Sequence, residues 1–420
     1  MVDTCKQSYW IISSAILVAV VLFGLRWSSG VMKQGNALDE KYITVPIFAI
    51  INEGWTLKTA IDFEETKGPA MIWPYAFFGK MLGGSLNDLR LVSVWSSILA
   101  LLVLSWIAVR SQVLGKQLFF ISIGWLLIPY NLVFSELVMG EVSFLLLSLL
   151  SVAVFLWGIE HSIDKTRRFL APLLYCIAIA LALHSRIHVV ALAGAICFTA
   201  FALEGKRSWP WWVASVLAGL LRIPLWLRWG GLVSPEYQAL HGLGFRIESL
   251  AYLAAALVPF IGVFAVEGWR VAKSKVGIVC AFILGVGLVF FATPDLTVPE
   301  VIDYVNPTER FQGIVATFSL KFGSNATAVL ALLAGIGLAG LVGLWHCKDK
   351  AKPVGLITFW SLAFGWMLYA LTRGFVFDRF LLTWAFLLPI VWYRVLPKWL
   401  LIPQYIALAV IAAMLCNTWL

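Results

Sequence analysis

Charge is what this chain has least of: 13% of its 420 residues are Asp, Glu, Lys or Arg, against about 25% in a soluble domain. With 61% hydrophobic residues and a mean hydropathy of +0.91, a soluble globular fold is excluded. Further absences narrow the chemistry. There is no Walker loop, no glycine fingerprint opening a soluble βαβ unit, no His-Glu-x-x-His and no Gly-x-Ser-x-Gly, which argues against an ATP-driven pump or a membrane metalloprotease. Six cysteines (Cys5, Cys176, Cys197, Cys280, Cys347, Cys416) are scattered without metal or redox spacing, so no disulfide framework is expected. No internal repeat, heptad pattern or low-complexity tract is present.

What the chain has instead is a series of apolar runs, each near the roughly 20 residues that a helix needs to cross a bilayer. Such continuous runs mean helices, because barrel strands would alternate. Spans are expected near 10–27, 89–109, 117–134, 142–159, 169–184, 187–203, 210–227, 250–266, 277–293, 326–345, 356–371, 380–396 and 402–419. The expected fold is therefore an all-α polytopic membrane protein of about 13 transmembrane helices, one integral-membrane domain over residues 1–420. Apolar stretches at 41–52 and 69–82 are too short to span and are read as interfacial segments of the first outer loop, 28–88. Basic residues fall in alternate short loops (Arg110/Lys116, Lys165/Arg167/Arg168, Lys206/Arg207, Arg270/Lys273/Lys275, Lys348/Lys350/Lys352, Arg394/Lys398). Because cytoplasmic loops retain such residues, the N-terminus is expected in the cytoplasm and the C-terminus on the outer or lumenal side, in a bacterial inner membrane or the ER membrane. The net charge of +9 is then topological, and no nucleic-acid partner is implied. Tryptophans near span ends, such as Trp27, Trp209 and Trp229, suit interfacial belts.

The outer side carries the longest polar segments, 28–88, 228–249 and 294–325, and function is sought there. Asp39 and Glu40 open an apolar stretch. They read either as a helix cap or as a general base held at the membrane surface. Lys67, in Lys67-Gly68-Pro69, reads as a snorkelling lysine or as a ligand for an anionic lipid head; Arg90 has the same two readings. Arg186 occupies a tight outer turn where the charge rule favours no cation. His184 and His188 flank it with i,i+4 spacing but lack a third ligand, so a divalent metal is unsupported and no cofactor is predicted. Arg373 and Arg379 lie at a late outer junction, where Asp378 could pair with an arginine or an arginine could fork onto phosphate. Arg222 is a further intramembrane cation without an assigned role.

These features resemble the GT-C superfamily of integral-membrane glycosyltransferases that use polyprenyl- or dolichyl-phosphate sugars. Asp39-Glu40 match its acidic motif in the first outer loop; Glu65-Thr-Lys67-Gly-Pro69 looks like the Lys-Pro element of bacterial members, and Leu89-Arg90-Leu91 like their opening of span two. Asp39-Glu-x-x-x-x-Val45-Pro46 is similar to the dolichyl-phosphate-glucose glucosyltransferase branch, and Arg379-Phe-Leu-Leu382 to a run in bacterial family-39-like branches. One departure is that no sizeable soluble domain follows the last span, unlike oligosaccharyltransferases or large lipid A aminoarabinose transferases. The resemblance implies an inverting transferase with Asp39 as general base, Glu40 beside it, and Lys67, Arg90, Arg186 and Arg379 on the lipid phosphate. Its partners would be a lipid-linked sugar donor, membrane lipids and a glycan, lipid or protein acceptor. The competing classes are a transporter or flippase of lipid-linked saccharides, which would show related halves, and a surface-glycan polymerase or ligase with a larger late outer loop.

Overall fold

The computed structural model describes residues 4–37, 39–63, 65, 67–160, 165–235, 238, 243–296, 311–371 and 376–420. Arg373 and residues 297–310 of the expected 294–325 loop lie outside them. The described chain is almost entirely helical; its one sheet is a two-stranded parallel pair, β1 (Phe311–Gln312) and β2 (Val376–Phe377), in the register Phe311 to Val376. Among the described residues, eight helical stretches are long and apolar enough to cross a membrane, or nine if one bent pair counts as a single span.

All thirteen expected spans fall on helix, but not all on one unbroken helix. Expected spans 187–203 and 210–227 fall in one apolar stretch, Ile187–Trp229, about twice the length that crosses 30 Å of hydrocarbon and broken at Gly205 (φ 59°) and again at the Leu221–Arg222 turn. Within it α10 (Val190–Glu204) and α11 (Trp209–Leu220) pack against each other. The expected 117–134 span is two pieces, α6 (Leu118–Leu127) and α7 (Asn131–Glu136), because Pro129 forbids the helical conformation at Ile128 (ψ 128°) and Tyr130 turns left-handed at φ 71°. The 250–266 span bends by 77° before Val263–Val271. The 277–293 span is a 16-residue helix, Val276–Phe291, and the 380–396 span is built of short helices including Leu388–Val395.

The chain divides into two compact units, Met1–Tyr237 with Ala412–Leu420, and Gln238–Ile411. In the first, α1 (Thr4–Ser28), α5 (Leu86–Arg110), α8 (Glu141–Glu160) and α9 (Lys165–Ser185) provide long helices. The two stretches expected to be interfacial are helices, α2 (Glu40–Glu53) and α4 (Pro69–Leu82), joined through a short helix that Thr56 and Thr59 cap reciprocally. Pro69 takes the first helical position of α4, where its missing N–H leaves no bond unmade. The two helices pack together and keep apolar side chains outward: Val45, Phe77, Phe78 and Met81 are all exposed. A bilayer surface would cover such a face.

In the second unit, Ala326–Cys347 packs against Val276–Phe291 and the bent pair by close backbone approach. A Cβ at Gly337 would stand 1.8 Å from the Ala254 carbonyl oxygen. Small residues let membrane helices meet this closely.

Candidate active site

The 28–88 segment, expected as the first outer loop, is tied down by a buried ion pair. Glu40, the first residue of α2, and Arg90, in the first turns of α5, both have fully buried side chains. Arg90 Nε and Nη2 donate to the two carboxylate oxygens at 2.9 and 2.6 Å. The same carboxylate accepts from the backbone N–H of Val138 at 2.7 Å and of Ala37 at 2.7 Å. Arg90 spends its remaining donors on the carbonyls of Val31, Gln34 and Gly35. Every charge-bearing atom here is engaged by protein. Both side chains are thereby buried and committed to tying the loop to α5. Neither side chain has room to meet a ligand.

Asp39 stands apart from this clamp although it precedes Glu40. It is the N-cap residue of α2, and its side chain makes no capping hydrogen bond. With its side chain 27% exposed, it lies 4.0 Å from the Lys67 ammonium. Lys67 is itself buried and sits 3.3 Å from a carboxylate oxygen of Glu65, which is also buried. Glu65 was not singled out in the sequence as a site residue; its place between two other charges, two residues before Lys67, is the signal that could have marked it.

Gly68 then brings this turn onto the start of the Arg186 turn. Its N–H donates to the Ser185 carbonyl at 2.8 Å, and a Cβ at Gly68 would lie 1.7 Å from the His184 carbonyl oxygen. Only glycine permits that approach, which places Lys67 and Arg186 each one residue from a shared backbone contact. Arg186 is ion-paired through Nη2 with Glu141, the first residue of α8, and its Nε is buried without an acceptor. Glu141 is a second member missed in sequence, where it reads simply as an acid at a helix start. Deeper in the same unit, buried Arg26 and Glu136 face each other at 3.7 Å. Glu136 lies two residues past the expected third span, and loss of water around its carboxyl raises its pKa to about 7 against the pull of Arg26 and Arg90.

The remaining candidates are placed differently. His184 donates through Nδ1–H to the Ala180 carbonyl, 2.8 Å away, and among the described residues no group of three or more His, Cys, Asp or Glu is arranged to hold a metal ion. Arg379 belongs to the second unit, where its guanidinium lies 4.4 Å over the Phe377 ring. Asp378 accepts the Val315 N–H at 3.1 Å and so ties the start of helix Ile314–Leu320.

Comparison with known proteins finds no matching family model and no matching curated protein. Among solved structures, ArnT from Cupriavidus metallidurans in the apo state aligns over 97% of this chain and 76% of that chain, at 13% identity and a TM-score of 0.47. The same protein bound to undecaprenyl phosphate aligns with the same coverage at 14% identity and a TM-score of 0.44. Scores below 0.5 at such identity leave the chemistry to be argued from this chain's own residues.

Proposed function

We propose that this chain is an inverting glycosyltransferase that moves a sugar from a polyprenyl-phosphate donor to a hydroxyl on a glycan, lipid or protein, at the outer or lumenal face of a membrane. The observation that carries this reading is the pairing of the Asp39 carboxylate with the buried Lys67 ammonium at 4.0 Å, on a turn docked beside Arg186. A carboxylate and cations gathered at the mouth of an apolar helical bundle suit a reaction whose donor reaches the site through the bilayer.

Asp39 takes the proton of the acceptor hydroxyl as its oxygen attacks the anomeric carbon. The bond from that carbon to the phosphate oxygen breaks on the opposite face, which inverts the configuration. The departing lipid phosphate gains negative charge, and Lys67 and Arg186 are positioned to receive it by preorganised electrostatics. A phosphate leaving group needs no separate general acid. Arg186 has an Nε donor to spare, and Glu141 fixes the direction of its guanidinium. Glu40 and Arg90 contribute by fixing the first turn of α2, and with it Asp39.

The test is to incubate purified protein with a panel of labelled polyprenyl-phosphate sugars and follow lipid-phosphate release. Asp39→Asn is expected to abolish release while expression and membrane insertion persist. Wild-type turnover in that variant, or no release from any donor by the wild-type protein, refutes the reading.

A further inference from the structure

The second unit gathers cations at the Cys347 end of the helix Ala326–Cys347. Two turns meet there. The turn between Val263–Val271 and Val276–Phe291, which carries Lys273 and Lys275, docks on this helix through Ala272, packed with Ala339, and through Gly268, where an added Cβ would collide with the Gly343 backbone. The second turn, Lys348–Ala351, follows Cys347 directly. Glu267, whose side chain is fully buried, fastens the two: it accepts from Arg270 and from Lys350, each at 2.8 Å. Arg394 brings in a third segment. It donates through Nη2 to the Lys350 carbonyl at 3.3 Å, and its Nε is buried without an acceptor.

Positive charge is in surplus here. The acids of these segments, Glu267 and Asp349, are already matched, the first to Arg270 and Lys350 and the second to Lys348. Lys273, Lys275 and Lys352 are exposed and form no ion pair among the described residues. Like charges held together repel, and an anion among them relieves the repulsion. The topological rule explains the sign of these residues but not a buried acid that fastens two turns into one patch. Exposed tryptophans complete it: Lys275 Nζ lies 5.7 Å from the Trp269 ring centroid, and Lys348 Nζ 3.6 Å from that of Trp345. Exposed indoles suit the headgroup level of a bilayer, which favours a lipid over a soluble acidic partner. We propose that this patch binds the phosphodiester head of an anionic membrane phospholipid, with Lys273, Lys275, Lys352 and Arg394 supplying the charge. The site uses none of the residues assigned to sugar transfer, and the proposal holds whether or not the chain transfers a sugar.

The experiment reads binding. Purified full-length protein is titrated with phosphatidylglycerol, phosphatidylcholine and polyglutamate, and bound ligand is counted by native mass spectrometry. Phosphatidylglycerol should be retained in preference to phosphatidylcholine. A cation beside an anionic headgroup is worth about fivefold in affinity, so Lys352→Gln should weaken retention by about that factor and the triple variant Lys273→Gln/Lys275→Gln/Lys352→Gln by at least about tenfold. The matched triple Lys116→Gln/Lys206→Gln/Arg207→Gln, at exposed cations of the first unit, should leave retention near the wild-type value. Because every substituted side chain is exposed, unfolding midpoints should stay at the wild-type value too. Equal retention of the two lipids, or equal effects in the two triple variants, overturns the proposal. Polyglutamate that binds as tightly as phosphatidylglycerol would overturn it as a lipid site.

Discussion

At the scale of single residues, two adjoining acids have opposite surroundings. Glu40 is fully buried and accepts four hydrogen bonds, whereas Asp39 is partly exposed beside a lysine. Removing one partner of a buried ion pair strands the other, at a cost of about 3–5 kcal/mol. Glu40→Gln is therefore expected to lower the thermal unfolding midpoint of the purified protein clearly, while Asp39→Asn leaves it within error; equal midpoints would remove the distinction between anchor and base. Glu136 gives a pH signature. Its folded-state pKa of about 7 lies above the ordinary carboxylate value because burial disfavours the charge. The native state thus binds this proton more tightly than the unfolded chain does. Its contribution to stability is present below the unfolded pKa and is lost as pH rises through about 7, with no further change above. Glu136→Gln should flatten that decline in unfolding midpoints taken between pH 5 and 8; a slope identical to wild type would place the titration elsewhere. The family resemblance separated Asp39 as base from Glu40 beside it, but their opposite burial, and the setting of Glu136 as one acid among 22, could not be read in the sequence. Burial and partners distant in the chain decide them.

At the scale of elements, local pattern was a good guide wherever backbone chemistry is local. The interfacial stretches read at 41–52 and 69–82 are the helices Glu40–Glu53 and Pro69–Leu82, since apolar periodicity and an N-terminal proline act on neighbouring residues. Pro129, a local signal inside an apolar run, breaks the 117–134 stretch expected as a single span. The Lys67 turn was legible only in part. Its Gly68 looked like ordinary turn punctuation, and the reason it must be glycine, the His184 carbonyl, lies more than a hundred residues further on. Gly68→Ala forces the two backbones apart, and a displacement near 1 Å at reacting groups costs about 100-fold in rate. That variant is expected to lose transfer activity on this scale yet remain folded. Gly24→Ala, where nothing lies within 4 Å of the added carbon, should retain it. Full activity in Gly68→Ala would show that the Lys67 turn need not abut the Arg186 turn.

For the whole molecule, composition alone carried the class, because a chain this apolar has few ways to satisfy its backbone except as membrane helices. Long-range charge pairing was invisible: Glu40–Arg90 and Glu141–Arg186 join helices far apart in sequence, and nothing in a single sequence couples them. The arrangement of basic loops does make one further claim, on which the chemistry depends. If those loops face the cytoplasm, Asp39 and Lys67 lie on the opposite side, where a lipid-phosphate sugar is the available donor. Trp55, exposed between α2 and the helix Leu57–Ala60, and Arg207, exposed before α11, report the two sides. In a cysteine-depleted background, a membrane-impermeant thiol reagent added to intact cells should label Trp55→Cys. It should reach Arg207→Cys only after permeabilisation. The reverse pattern would put the carboxylate among nucleotide sugars, and a reaction built on a bilayer-borne donor would lose its premise.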